Sequence, residues 1–422
     1  MSVKKILCLT MGLILLLSAT ACKKADDDLS SNYSYSSTIT DIYQETESDN
    51  SSENVTSSKA TQSSTVSTAS PNHTTSNGKN EKNESINIKE KYGFNSITSV
   101  EYSYIKDIPY GDAEYKVTDV LTDTGLNMNY AVKITCKSKD IIINENTVTI
   151  PYKYKKNNDY VALTATHVAS GESYDFKINL DKWDLVFEDN FDGTALNTKI
   201  WNVWDHKDWQ YFYSPDSIFL DGNGHLVNRV SVLETPHPQY GYTRKSGAIT
   251  TKDKYDSTYG YYEISMIPHL TTGFWGAFWM MAGDMGEDAA DDNSSVNGAE
   301  IDVVETIFDT KIPSHAVHWD GYEHTKSWNI YSNLEPLPNV FDGKFHTFAV
   351  RWTPSEFIFL VDGNVTALTE AAGGCNQPAY MLISSHFGEW WAGELTLKAG
   401  EYSDMVVDYV RIYQTPSDKK SK

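Results

Sequence analysis

The sequence predicts an all-β protein in which a small antiparallel sandwich precedes a large, jelly-roll-type sandwich. Three observations lead there. Short alternating or β-branched runs follow one another from about Tyr92 to Gln414, and clusters of Gly, Asn and Asp separate them. No stretch carries the sustained 3.6-residue apolar period of an amphipathic helix. At 422 residues the chain is also too long for one ordinary domain, so two folded units plus accessory segments are expected.

The chain opens MSVKKILCLTMGLILLLSATAC, with Lys4 and Lys5 ahead of an apolar run to Leu17 and small residues before Cys22. That run is shorter than the roughly 20 residues a spanning helix needs, so it reads as a secretory signal. Ala19-Thr20-Ala21-Cys22 resembles a bacterial lipobox, which makes residues 1–21 a lipoprotein signal peptide and Cys22 the lipidation site. The expected location is the cell surface, outside the cytoplasm, on a bacterial membrane. Residues 22–89 are dominated by Ser, Thr, Asn, Asp and Glu. Such a segment cannot bury enough apolar surface to offset its ordering entropy, so a disordered tether is expected.

Residues 90–181 contain SVEYSYI, EYKVTDVL, NYAVKITC, NTVTIPYKY, YVALTATHV and YDFKINL, with turn clusters such as DTGLN and ASGES between them. This spacing suggests a small immunoglobulin-like sandwich acting as a spacer, with a carbohydrate-binding module as the alternative. From 182 to 417 the strand pattern continues through YGYYEISMI, EIDVVETIF, HTFAVRW, EFIFLVDG and MVVDYVRIYQ. So many antiparallel strands in one unit call for two large stacked sheets. Residues 418–422 read as a tail.

Composition narrows the partners. The net charge of −22 argues against nucleic acid and anionic lipid, which would be repelled over at least a Debye length. Aromatics reach 13% of the chain, with 11 Trp and 27 Tyr, a load that suits rings stacking on sugar faces as well as large β-cores. A polysaccharide partner is therefore expected, with a monomeric protein held to the membrane by its lipid and needing no cofactor. Beyond the leader only Cys22, Cys136 and Cys375 remain. They make no disulfide framework, and Cys136 and Cys375 read as buried free thiols.

The chemistry concentrates in GAEIDVVET, residues 298–306. On a regular strand Glu300 and Asp302 face one way, and Glu305 faces the other way with Ile301 and Val303. A β-bulge at Val303 or Val304 would remove the conflict and turn all three acids to one face. Glycosidic cleavage needs two carboxyl groups, one acid and one nucleophile or base, about 5–5.5 Å apart in retaining enzymes. Three carboxylates this close cannot all ionise cheaply, so one should keep its proton. Glu300 is assigned as nucleophile, Glu305 as general acid then base, and Asp302 as the auxiliary carboxyl between them. A solvent-facing acidic strand or a cation site is the competing reading.

Those residues, and six blocks in order, resemble glycoside hydrolase family 16 over roughly Trp183 to Pro416. LVFEDNFDG is similar to that family's opening strand, SGAITTKDKYDSTYGYYEISMIP to its middle strands, and GFWGAFWMM to its tryptophan-rich strand beside the cleft. GAEIDVVET matches the bulged form of its E-x-D-x-x-E signature, FHTFAVRWTPSEFIFLVDG its paired back strands, and MVVDYVRIYQ its closing strand. The resemblance implies a concanavalin-like jelly roll and endo-acting, retaining hydrolysis of a β-linked glycan. It also implies the three acid roles above and Trp275 as a cleft tryptophan that stacks on a sugar, with Trp279 in the core. His315 and His318 would lie on the strand after the acids, with His318 the substrate-side residue and one of the two reaching Glu305. Trp390 and Trp391 would wall a subsite. Asp408 occupies the position where some members hold a structural calcium.

The chain departs from the family pattern at Asn190, Ser217 and Gly276, which leaves the acids intact and alters the usual substrate contacts. The bulged signature occurs in members acting on β-1,3-glucans and in others acting on agarose-like or host-type galactans. Sparse Arg and Lys around the motif blocks disfavours sulfated galactans. An endo-β-1,3-glucanase of laminarinase type is expected, with an endo-β-galactosidase, and then a non-catalytic surface glycan-binding lipoprotein, as alternatives.

Overall fold

The computed structural model describes residues 87–283, 285, 294–319, 327–331, 339–370, 372 and 374–420. The signal peptide, Cys22 and the tether as far as residue 86 lie outside the described residues. Among the described residues no helix is long and apolar enough to cross a membrane.

The first unit has seven strands: β1 (Ile97–Asp107), β2 (Ala113–Thr122), β3 (Val132–Cys136), β4 (Ile142–Asn144), β5 (Thr147–Ile150), β6 (Tyr160–His167) and β7 (Ser173–Asn179). They form one sheet in the order β1-β2-β5-β4 and another in the order β3-β6-β7. Every pairing in both sheets is antiparallel. Alternation supplies the core: on β6 Val161, Leu163 and Ala165 are buried while Tyr160 and Ala162 are exposed. The inward residues meet Val117, Val148 and Ile178 from the other strands.

The second unit contains β8 (Asp184–Asp189), β9 (Asn202–Val203), β10 (His206–Lys207), β11 (Phe212–Tyr213), β12 (Ile218–Leu220), β13 (Leu226–Val232), β14 (Arg244–Ser246), β15 (Ala248–Thr250) and β16 (Gly260–Ile267). It continues through β17 (Phe274–Ala282), β18 (Ala299–Ile307), β19 (Ile312–Trp319), β20 (Ser327–Tyr331), β21 (His346–Trp352), β22 (Phe357–Val361), β23 (Asn364–Thr369), β24 (Ala379–Phe387) and β25 (Tyr402–Gln414). Seven strands make one sheet, β20-β19-β18-β17-β24-β15-β9. Eleven make the other, whose main path is β10-β11-β14-β13-β25-β16-β21-β22-β23 with β12 on β13 and β8 on β25. Both sheets bury one face in a common core that includes Ile301, Val303, Val304, Phe348, Phe359 and Ile412. This is the jelly-roll sandwich the strand pattern predicts. All nine residues of β17 and of β24 are buried, so the seven-stranded sheet is covered on its far face as well.

The two units dock through the back of the eleven-stranded sheet. Ile108, in the turn after β1, packs among Tyr261, Ala349, Ile358 and Leu360, with Trp183 and Tyr413 at the margin. Beside this contact the Glu263 carboxylate is wholly buried and accepts hydrogen bonds from Tyr110 of the small unit, Tyr261 at 3.0 Å and Tyr409 at 2.9 Å. Burial raises the Glu263 pKa, and the three phenols act against that rise. A second buried pair, Lys155 with Asp107, sits at the junction, where the Trp183 indole also donates to Asp107 at 3.5 Å.

Two sequence expectations change. Residues 418–420 are not a tail: Asp418 is buried, accepts from Arg351 at 3.0 Å and from the Thr415 backbone at 2.8 Å, and closes a helical turn against the sandwich. Of the two thiols, Cys375 is buried and its pKa is pushed up to about 12, but Cys136 is only half-buried and donates to the Ala162 carbonyl at 3.3 Å. Because the docking surface is apolar and buried, Ile108→Ala is expected to destabilise the molecule by about 2–4 kcal/mol. Calorimetry should show both sandwiches melting in one transition that moves down in this variant; two separated transitions in the parent would defeat the docking argument.

Candidate active site

Strand β18 carries the acids between β17 and β19. Against β17, Glu300 lies opposite Met281, Asp302 opposite Trp279, Val304 opposite Phe278 and Glu305 opposite Ala277. Val303 has no partner there, so it is the extra residue of a β-bulge. Against β19 the pairing runs from Asp302–Ala316 to Glu305–Ser314, so Val303 and Val304 together oppose His315. The result is visible in burial: Ile301, Val303 and Val304 all enter the core, and Glu305 joins Glu300 and Asp302 on the far face. Glu300 and Glu305 stand opposite Met281 and Ala277, four residues apart, which places their Cα atoms about 13 Å apart along the sheet.

The neighbours set the charge states. A ligand atom from each of Glu300, Asp302 and His318 lies within 4.8 Å of the others, and Asp302 is 5% exposed. His318 faces Glu300 across the strands and places Nε2 3.4 Å from Asp302 Oδ2. Burial works against a charge on this imidazole, but the hydrogen bond and charge of Asp302, with Glu300 behind it, outweigh burial and raise its pKa. The Glu305 pKa is raised well above the ordinary carboxyl value, first by desolvation and then by Asp302 and Glu300. The Trp275 indole favours its charged form, without reversing the shift. The surroundings of Glu305 therefore favour its protonated form, the state a general acid needs.

Aromatic rings bound one end of this face. Trp275 and Trp279 project from β17 on the same side as Ala277 and Met281. Trp275 stacks on His386 of β24 with ring centroids 5.1 Å apart and meets Trp391 edge-on at 4.9 Å. Trp390 and Trp391 occupy one helical turn, Glu389–Ala392, as a stacked pair, and Trp390 is 56% exposed. A Cβ at Gly388 would lie 2.8 Å from the Trp275 ring and 2.9 Å from Trp390 Nε1, so only glycine lets these rings close together.

Residues 206–411 match the family model for glycosyl hydrolases family 16. This domain belongs to that family. An endo-1,3-1,4-beta-glycanase of Rhizobium meliloti is 25% identical over 293 residues, 60% of this chain and 59% of its own length. The chain thus spans well under two thirds of that relative. A beta-glucanase of Rhodothermus marinus is 27% identical over 255 residues, covering 55% of this chain and 85% of the relative. The catalytic domain of an endo-1,3-beta-glucanase from Thermotoga petrophila superposes with a TM-score of 0.49 at 23% identity, over 56% of this chain and all of that one.

Within the family 16 domain, several expected residues land elsewhere. The two histidines of β19 part ways: His318 meets Asp302, and His315 points into the core, where its Nδ1 donates to the Val303 carbonyl at 2.6 Å. Trp279 is buried as expected, but in the cluster on the acid face, where its indole donates to Ser384 at 2.9 Å. Asp408 is the extra residue of a bulge in β25 and accepts from Ser265 at 3.4 Å. Among the described residues it joins no group of three or more His, Cys, Asp or Glu side chains spaced to share a metal.

Sequence reasoning missed the support under Trp275. The His386 ring is buried, with its pKa held down near 4 by burial. Tyr213 donates to its Nδ1 at 2.9 Å, and its Nε2 donates to Ser384 at 2.7 Å. Tyr211 and Asp208 extend the chain outward. The only sequence signal was the run of polar residues Ser384, Ser385 and His386 in an otherwise apolar strand.

The raised Glu305 pKa carries a stability consequence with a definite sign. Its favourable contribution is complete below the ordinary carboxyl value and is lost as pH rises through the raised one. Glu305→Gln should match the parent in unfolding free energy under acidic conditions and exceed it at alkaline pH by about 1–3 kcal/mol, seen as a higher melting temperature there. Parallel melting curves across pH would show that Glu305 is not held protonated by its surroundings.

Proposed function

We propose that the protein is a retaining, endo-acting β-glucan hydrolase that cleaves β-1,3 linkages, with Glu300 as nucleophile and Glu305 as acid and then base. The observation that carries this reading is the Val303 bulge, which puts both residues on one face with Asp302 between them. A single proton on Glu305 completes the pair. The Glu300 carboxylate attacks the anomeric carbon while Glu305 protonates the departing glycosidic oxygen. Glu305, now ionised, takes a proton from water, and that water displaces Glu300 from the sugar. Asp302 and His318 lie beside the nucleophile, where His318 offsets part of the combined carboxylate charge.

The glucan class is supported by the names of the relatives, an endo-1,3-1,4-beta-glycanase and a beta-glucanase. Glu300→Gln is expected to lower turnover on laminarin by about three orders of magnitude or more. The parent should release mid-size oligosaccharides from laminarin, with products first appearing as β-anomers by NMR. Release of α-anomers, or cleavage of agarose or mucin-type glycans in place of β-glucans, would overturn the reading.

The exposed ring of Trp390, edge-on to Trp275 at 6.3 Å, fits a subsite that stacks on a sugar face. Trp390→Ala should raise KM for laminarin by about 2–10-fold with little change in kcat. An unchanged KM would remove Trp390 from the binding surface.

A further inference from the structure

A β-bulge leaves a backbone group without its ladder partner, and inside an apolar core that group needs another one. The carbonyl of Val303 is such a group, and the His315 imidazole answers it at 2.6 Å. A carbonyl only accepts, so the proton is on Nδ1. Burial holds the His315 pKa down near 4, which keeps the ring neutral and gives Nε2 a lone pair. Thr366 Oγ1 lies 3.0 Å from that lone pair, and its single proton is shared between Nε2 and the Phe359 carbonyl.

Thr366 is itself the extra residue of a bulge. Across β22 and β23 the pairing steps from Phe359–Ala367 to Leu360–Val365, leaving Thr366 over. Its hydroxyl also lies 3.2 Å from the Phe359 carbonyl, and the Phe359 ring stacks on His315 with centroids 4.7 Å apart and planes at 20°. The wholly buried imidazole therefore spans the core between a bulge in the acid-bearing sheet and a bulge in the opposite sheet.

We propose that His315 is a positioning residue, an inter-sheet strut that ties the Val303 bulge to the Thr366 bulge and so holds Glu305 on the acid face. The inference rests on the reading of Glu305 as acid and base. Without the strut, the dry core still disfavours the unpaired Val303 carbonyl, and β18 can relieve it by shifting register. Such a shift carries Glu305 away from its place opposite Ala277.

The test compares the parent with Thr366→Val, His315→Phe and His315→Asn, using laminarin hydrolysis and the titration of the Glu305 carboxyl followed by isotope-edited NMR. Thr366→Val lies in the sheet remote from the acids and is expected to lower kcat by about tenfold with KM within about twofold, and to move the Glu305 titration. His315→Phe keeps the stack on Phe359 and loses both hydrogen bonds, and should lower kcat by about 100-fold. His315→Asn, whose amide can still donate to Val303, should recover much of that loss. If Thr366→Val and His315→Asn lower only the melting temperature, with kcat and the Glu305 titration at parental values, the strut has no positioning role. Should His315→Phe fail to fold, those two variants still decide. A parent inactive on every β-glucan would defeat the functional reading alone, and the Glu305 titration, which needs no substrate, would still test the strut.

Discussion

Everything at the acid site depends on one residue too many in β18. A strand that obeyed its two-residue period would bury Glu305 in the apolar core or turn Glu300 and Asp302 inward instead. Val303 absorbs the conflict: it and Val304 both enter the core, and the three acids share the other face. The arrangement is tolerable because the freed carbonyl finds His315 and not an apolar wall. Function here is a register problem solved with a hydrogen bond on the side of the sheet that no substrate touches.

Given that register, the electrostatics follow. Carboxylates spaced along one face repel each other, and the covered surroundings of β17 and β24 weaken solvent screening. Desolvation and the neighbouring carboxylates push the Glu305 pKa up, whereas Asp302 has His318 beside it. Trp275 belongs both to the tryptophan cluster and to the surroundings of Glu305, since its ring sits against Trp391 while its indole favours the charged form of that acid. Its support by a neutral His386 is consistent with that double position, because a charged imidazole beneath the indole would favour ionised Glu305 and weaken the acid.

The acids, the strand pattern and the bulge were legible in the sequence because each is a local signal: a period of two, a run of turn residues, a motif whose spacing contradicts its own alternation. What stayed hidden depends on partners far apart in the chain. His315 meets Thr366 across 51 positions and Glu263 meets Tyr110 across 153, and nothing near any of them marks the other. His315 read as a candidate to serve the acids directly because it lies with His318 on the strand that follows them. Register, which periodicity cannot supply without a reference point, decided that it faces the core. Asp418 was lost to a different cause: five polar residues at a terminus look like a tail unless the buried Arg351 is known to lie beneath them.

The position of the small sandwich bears on its part in polysaccharide cleavage. Ile108 and Tyr110 rest on Tyr261, Ile358, Leu360 and Glu263, which belong to the eleven-stranded sheet, while the acids are on the seven-stranded one. A glycan lying across Glu300 and Glu305 is separated from the small sandwich by both sheets and the core between them. Any sugar-binding surface on that unit would hold a different stretch of polymer from the one being cleaved. The buried contacts point to a mechanical role. Covering Tyr261, Ile358 and Leu360 removes an apolar patch from the back of β16 and β22, and β22 pairs with β23, the strand whose bulge carries Thr366. The docked unit therefore rests on the same sheet whose β23 carries Thr366, the partner of His315.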